Sequence, residues 1–380
     1  MSLFFISFIL IYAGVHLYAF LKVKAALHPG KMVQQLMAFF LIAMISAPFF
    51  VRLYEKSGFE IFAYLTAHVG FIWMGILFLF FIYGVLIDFW RLLIFTAGSV
   101  LKKNLSALRP STKLAFFVPL LISMTIASYG YFEAMDVTTE RINIKSEKIQ
   151  SQAGRIKIVQ ISDVHLGHII REARLSEILD KVRAEAPDML ICTGDLVDGL
   201  RSDLNDLSGM FQEINPKYGK FAITGNHEYY AGLEQSLEFI NRSGFRILRG
   251  EGLTINNIIN IAGVDDHAGI SSGSTNSAYE KEMLSKLPKD KFTLFLKHRP
   301  LIDENLNGLF DLQLSGHTHK GQIFPFNFFV ARFFPFISGY HQITDISSIY
   351  ISRGSGTWGP PIRFLSPPEV TVIELSTLSF

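Results

Sequence analysis

Hydrophobic positions along the chain change their rhythm near residue 133. Before it come four nearly unbroken apolar stretches, at about 3–21, 34–51, 63–87 and 114–132. Each approaches or exceeds the roughly 20 residues a helix needs to cross the hydrocarbon layer, so the pattern predicts a transmembrane region of four helices over 1–133. The opening MSLFF carries no basic n-region and no small-x-small cleavage site follows the first stretch, which argues against a cleaved signal peptide. Hydropathy then collapses through DVTTERINIKSEKIQSQAG, and 134–154 reads as a polar linker that at most begins with a strand.

Beyond the linker, over 155–380, apolar residues come in short β-like runs: RIKIVQI, DMLICT, KFAIT, NIINIAGV, FTLFL and FDLQL. Amphipathic helix patterns separate several of them. In REARLSEILDKVRAEA, for instance, Leu175, Ile178, Leu179 and Val182 fall at i, i+3, i+4 and i+7. Alternating strands and helices predict an α/β domain built on central sheets.

Composition supports the membrane reading: 49% of residues are hydrophobic and 35 are Phe. Charge is unevenly divided, with 13 Lys+Arg against 7 Asp+Glu in 1–150 and 22 against 26 in 151–380. The mildly acidic second part lacks the basic surface that nucleic acid requires. Basic residues near the helix ends number eight on the side of the first and third connections (Lys22, Lys24, Lys31, Arg91, Lys102, Lys103, Arg109, Lys113). The other side has five (Arg52, Lys56, Arg141, Lys145, Lys148), so the positive-inside rule favours an extracytoplasmic C-terminal domain. His68 and Asp88 lie in or at the edge of the third span, Asp88 beside Trp90 and Arg91 as an interfacial end. The single cysteine, Cys192, sits in the run MLIC as a small buried hydrophobe.

Polar clusters begin where the apolar runs end. Ser162-Asp163-Val164-His165 follows RIKIVQI, and Gly194-Asp195-Leu196-Val197-Asp198 follows DMLICT. Gly225-Asn226-His227-Glu228 follows KFAIT, Lys297-His298-Arg299 follows FTLFL, and SGHTHKG follows FDLQL. Any one of these is ordinary turn chemistry. Five in succession, each at a strand end where α/β sheets bind ligands, converge on one edge with enough Asp, Asn and His for two metals. Carboxylate, amide and imidazole without thiolate suit Mn, Fe, Co, Ni or Zn rather than a structural zinc site.

DVH, GDLVD, GNHE, KH and GHTH, in this order, resemble the calcineurin-like metallophosphoesterase superfamily over about residues 155–376. The chain is most similar to a bacterial membrane-associated group that reads GHTHGGQ, SRG-x-G, PPI-R and PPE. Here the corresponding stretches are GHTHKGQ, SRGSGTWGPPIRF and SPPEV, with Lys320 in place of a glycine. The resemblance implies an αββα sandwich and two divalent metal ions per chain. It implies that Asp163, His165 and His319 hold the first metal, that Asn226, His298 and His317 hold the second, and that Asp195 bridges. His317 and His319 would then serve different metals about 3.5–4 Å apart, with a hydroxide shared between them attacking phosphorus in line. His227 is the remaining histidine, the acid or charge stabiliser for the leaving group, and the resemblance pairs it with Asp198.

The implied activity is hydrolysis of a phosphomonoester, phosphodiester or pyrophosphate. Helices in lipid point to a membrane-bound enzyme with a phospholipid or lipid-linked substrate. Some relatives resemble enzymes of cytoplasmic nucleotide-linked glycolipids, which conflicts with the orientation from charge. The rival reading, a sensor or transport-associated protein with a non-catalytic domain, calls for a degenerate ligand set, and all seven positions are intact. Lys297, Arg299 and Arg353 are weaker candidates, for contact with substrate phosphate or for solvated surface, and His168 is another, for lining the mouth of the site or for no role. The segment FPFNFFVARFFPF, 324–336, is aromatic enough to require packing on the domain or contact with the membrane.

Overall fold

The computed structural model describes residues 3–149, 154–199, 204–269 and 277–378. The chain divides into two compact units, one comprising 1–132 with 359–362 and the other 133–358 with 363–380.

The first unit is built on α1 (Leu3–Leu27), α2 (Lys31–Lys56), α3 (Glu60–Leu101) and most of α4 (Leu114–Met135). All four helices are long and apolar enough to cross a membrane. Tyr12, Ala19, Ala26, Leu77, Phe80 and Phe116 form its interior. At Gly70 an added Cβ would stand 2.7 Å from the Ala47 methyl, the close approach that small residues permit between helices in lipid.

The third helix departs from the sequence expectation. It runs for 42 residues, about 63 Å at 1.5 Å per residue, where hydropathy alone ended it near 87. Asp88 does not terminate it because the charge is answered in place. Lys22 Nζ lies 2.6 Å from its carboxylate, the Tyr18 hydroxyl donates to it at 2.9 Å, and Arg91 stands 3.6 Å away. His68 closes a local hydrogen bond through Nδ1 to the carbonyl of Tyr64 at 3.0 Å.

Among the described residues the second unit contains twelve strands in two six-stranded sheets. The strands are β1 (Thr138–Lys145), β2 (Arg155–Ile161), β3 (Met189–Cys192), β4 (Lys220–Ala222), β5 (Arg246–Ile247), β6 (Glu251–Ile255), β7 (Ile259–Gly263), β8 (Phe292–Leu296), β9 (Leu312–Ser315), β10 (Gly339–Gln342), β11 (Ser348–Ile351) and β12 (Glu369–Ser376). The first sheet runs β1-β12-β2-β3-β4-β5 and the second β10-β11-β9-β8-β7-β6. Ile156, Ile158, Met189 and Ile191 of one sheet meet Ile261, Leu294, Leu312 and Leu314 of the other in a shared core.

Helices α5 (Glu172–Glu185), α6 (Leu204–Gln212), α7 (Asn226–Ala231) and α8 (Leu233–Arg242) follow strands of the first sheet, and α9 (Ser277–Ser285) precedes β8 of the second. Leu175, Ile178, Leu179 and Val182 are all buried, as the helical period requires, in a cluster with Val159 and Leu190 on the outer face of the first sheet. Met283 and Leu284 of α9 pack with Ala262 and Phe295 of the second. The layers are helix, sheet, sheet, helix.

The stretch 134–154, expected as a polar linker, contributes β1, which pairs in parallel with β12 from Thr138↔Glu369 to Lys145↔Ser376. Its polar appearance has a plain cause. An edge strand keeps alternate side chains in water, and Arg141, Asn143 and Lys145 are the exposed ones. Cys192 is buried, with its thiol pushed up by burial and by nearby carboxylates.

Candidate metal centre

β2, β3 and β4 are parallel neighbours in the first sheet, and β8 and β9 are parallel neighbours in the second. Their carboxyl ends therefore open on common edges, and the following loops are stitched together by backbone bonds. Asp163 N donates to Gly194 O at 3.0 Å, His165 N to Asp195 O at 3.0 Å, and Gly316 N to His298 O at 2.9 Å. Two glycines permit the closest approaches. A Cβ at Gly316 would stand 2.1 Å from Asp163 Oδ2, and one at Gly225 2.2 Å from Asp195 Oδ1.

The structure brings the sequence candidates into three overlapping clusters: Asp163, His165 and His319; His165, Asp195 and His227; and Asp195, His298 and His317. Within each, the donor atoms lie within 4.8 Å of one another. His319 Nε2 is 3.4 Å from Asp163 Oδ1 and 3.1 Å from His165 Nε2. His298 Nε2 is 3.1 Å from Asp195 Oδ2. Asn226 opens α7 beside them, and its Oδ1 is buried without a hydrogen-bond partner. Five of the seven candidate ligands have left-handed backbones: Asp163 (φ 51), His165 (56), Asp195 (51), His317 (71) and His319 (47). Strain of this kind persists where the surroundings over-determine it and clusters at functional sites.

These residues fit a metal. Between His165 Nε2 and His319 Nε2 only one proton can sit, whereas a cation accepts lone pairs from both. The orphaned amide oxygen of Asn226 is a donor of the same kind. Burial, with the charges of His298 and Arg299, pushes His317 down to about 3, and burial with Arg363 holds His319 well below its ordinary value. Both rings are thus neutral, the form that ligates. Burial works against ionisation of Asp195, but His298, His227 and His165 outweigh it and hold the carboxyl well below its usual range.

His227 stands beside the clusters, edge-on to His165 with ring centroids 4.5 Å apart, and its Nδ1 is bonded to Asp198. Burial opposes its protonation, yet the charges of Asp195 and Asp198 prevail and push it up to about 9. Of the weaker candidates, Lys297 is bound to Glu280 at 2.8 Å, Arg299 to Asp266 at 2.8 Å, and Arg353 to Glu369 at 2.8 Å. His168 is buried. None of the four is solvated surface, and the three cations are tied to carboxylates.

Three contributors escaped the sequence reading. Glu228 is fully buried and accepts from the amides of Asp195 (3.0 Å), Val197 (3.0 Å) and Gly225 (2.7 Å), tying two ligand loops together. A Glu three residues after Gly225 was its visible signal, the capping position of α7. Tyr230 and Trp358 flank His227 at centroid distances of 5.5 and 6.3 Å.

Residues 156–321 match the family model of the calcineurin-like phosphoesterases. An uncharacterized metallophosphoesterase of Aquifex aeolicus (strain VF5) is 40% identical over 67% of this chain and 98% of its own length. The chain belongs to the calcineurin-like phosphoesterase family. It is accordingly a metal-dependent phosphoric ester hydrolase. An uncharacterized metallophosphoesterase of Campylobacter jejuni is 34% identical over 64% of this chain and 63% of its own length. A "transmembrane protein with metallophosphoesterase domain" of Danio rerio is 28% identical over 67% of this chain and 61% of its own length. The match thus spans less than two thirds of these last two relatives. Like them, this calcineurin-like phosphoesterase has sequence beyond the matched domain, here the helices that are able to span a membrane.

Proposed function

We propose that this phosphoesterase is membrane-bound, holds two divalent ions, and hydrolyses a phosphate ester or pyrophosphate of a lipid-linked substrate. The observation that carries the two-metal reading is that Asp195 belongs to two clusters at once, one with His165 and one with His298 and His317. Asp163, His165 and His319 would hold one ion and Asn226, His298 and His317 the other, with Asp195 shared. A shared carboxylate is physically required, since two dications this close repel unless an anion lies between them. Such a pair, when bound, generates a nucleophile from water near neutral pH and neutralises charge on the phosphoryl oxygens.

The chain's own groups do the rest. Glu228 holds the loops of Asp195 and Asn226 at fixed separation, so the donor set is pre-organised. Asp198 holds the His227 ring by Nδ1, which leaves Nε2 to give a proton to the departing oxygen. Tyr230 and Trp358, 59% and 50% exposed beside His227, exclude water from one flank, and Phe334 does so beside His317 at 5.5 Å.

Support for a lipid-linked substrate comes from the same rim. Phe328, Phe329 and Phe333 of the aromatic segment are 68%, 58% and 62% exposed around α10 (Phe326–Val330). From Leu312 to Thr344 the sequence has no Asp or Glu, while Lys320 and Arg332 are cationic, a composition that suits a phospholipid surface. The distribution of basic residues around the helices favours catalysis on the extracytoplasmic side.

The test is the full chain in detergent with added Mn2+, assayed on a phosphomonoester, a phosphodiester and a pyrophosphate, with Asp195→Asn as control. Turnover of one class that disappears in the control supports the reading. Equal activity in the control, or none in the wild type with metal bound, overturns it.

A further inference from the structure

Trp358 ends a short loop that lies along the segment of Asp163. Ser355 N donates to Ser162 O at 2.7 Å and Gly356 N to Asp163 O at 3.0 Å. A Cβ at Gly356 would stand 2.0 Å from Val164 O, so glycine alone lets the two backbones run this close. The buried Arg363 donates from Nε to Gly356 O at 3.1 Å.

Gln322 fixes the far end of this loop. Its Nε2 donates to Trp358 O at 2.8 Å, and its Oε1 accepts from Trp358 N at 2.8 Å. A side-chain amide carries donor and acceptor side by side, which matches the N–H and C=O of a single residue. Gln322 is itself buried and has a positive φ (φ 56, ψ −51), and its carbonyl accepts from Phe364 N at 2.9 Å. A buried amide and an uncommon backbone conformation are thus committed to the main chain of a residue whose own ring is half in water.

The ring so placed lies edge-on to His227 at 6.3 Å, and Tyr230, about one helical turn beyond His227 on the same face of α7, lies at 5.5 Å. Single exposed aromatic side chains are ordinary, but two that flank one histidine of a candidate site form a surface for a ligand. It is not the flank of the aromatic segment. Phe334 packs on His317, which is clustered with Asp195 and His298, whereas His227 is clustered with His165 and Asp195.

Building on the phosphoester-hydrolysis reading, we propose that Trp358 is a specificity-determining residue that stacks on a planar ring carried by the departing group of the substrate, and that Gln322 is the positioning residue that sets it there. Ring and lipid chain then meet different flanks of the centre. The bond that breaks joins phosphorus to the oxygen of the ring-bearing group, which leaves with that oxygen protonated. The oxygen of water ends on phosphorus, and the phosphoryl half keeps the lipid.

The experiment measures binding apart from turnover, by isothermal titration calorimetry of the Mn2+-loaded full chain in detergent with benzylphosphonate and hexylphosphonate, whose P–C bonds resist hydrolysis. Wild type is expected to bind the benzyl compound about fivefold to tenfold more tightly than the equally apolar chain, the range for stacking one ring on another. Trp358→Ala brings the ratio to about one, and Trp358→Phe, still a planar ring, keeps most of it. Gln322→Met, which has the length and neither hydrogen bond, loses most of the ratio. Equal affinities in wild type, or a preference that survives Trp358→Ala, would overturn the stacking. A wild-type ratio in Gln322→Met would overturn the role of Gln322. If the melt shows Gln322→Met unfolded, Gln322→Glu, which keeps only the acceptor, replaces it and is judged by the same ratio. A wild-type chain that binds neither phosphonate refutes the phosphoryl site itself rather than the stacking.

Discussion

Asp198 accepts a hydrogen bond from Nδ1 of His227, joining the end of the β3 loop to the first turn of α7. The bond fixes the tautomer of a ring that touches the clusters without being needed to complete the seven-donor set. His227→Ala is expected to retain two Mn2+ by elemental analysis while kcat falls about 10²- to 10⁴-fold, the range for losing a general acid. Asp198→Asn should give a smaller loss, about 10- to 100-fold, with metal content unchanged. Loss of an ion from His227→Ala would make the ring a ligand instead.

Glu228 carries no chemistry in the proposed reaction, yet its carboxylate answers three backbone amides in a site closed to water. Glu228→Gln puts an amide donor against those N–H groups. Stability should drop by about 2–3 kcal/mol, read as a fall of several degrees in the thermal melt of the purified chain. A melt at the wild-type temperature would show that the loops hold without it.

Lys320 occupies a left-handed position, φ 51 and ψ 29, where a side chain costs about 1–2 kcal/mol and glycine costs little. Glycine also loosens the unfolded chain, an offset of about 0.4–1 kcal/mol. Lys320→Gly should therefore raise stability by roughly 0.5 kcal/mol, and a melting temperature lower than wild type would contradict this.

Phe328, Phe329 and Phe333 present their rings to solvent, and the proposed substrate gives them a lipid surface to meet. Replacing all three with Ser should cut turnover of a substrate embedded in vesicles by about tenfold, while a soluble aryl phosphodiester is hydrolysed as before. Equal loss on both substrates would assign the rings to packing.

What was legible in the sequence followed from the position of each residue at the end of an apolar run. Asp163, Asp195, Asn226, His298 and the His317/His319 pair all stand there, and β2, β3, β4, β7, β8 and β9 were visible because both faces of those strands are largely buried. β1 was hidden by its exposed alternate positions, and β5 by having only two residues. Arg363 was visible as the arginine of the PPI-R stretch, but its burial was not, since an arginine among prolines reads as surface unless the carbonyls that satisfy it are known. The extension of α3 to Leu101 was obscured by Asp88, whose partners Lys22 and Tyr18 lie far back in the chain.

The position of β12 has a consequence for the order of synthesis. It is the last strand made, yet it lies between β1 and β2, pairing parallel with the first and antiparallel with the second. Until the ribosome has passed Ser376 these two earlier strands have no neighbour to join them, so the first sheet cannot close while its middle is still being translated. The domain must wait half-assembled at the ribosome, and nascent chains stalled before residue 369 should be conspicuously open to protease.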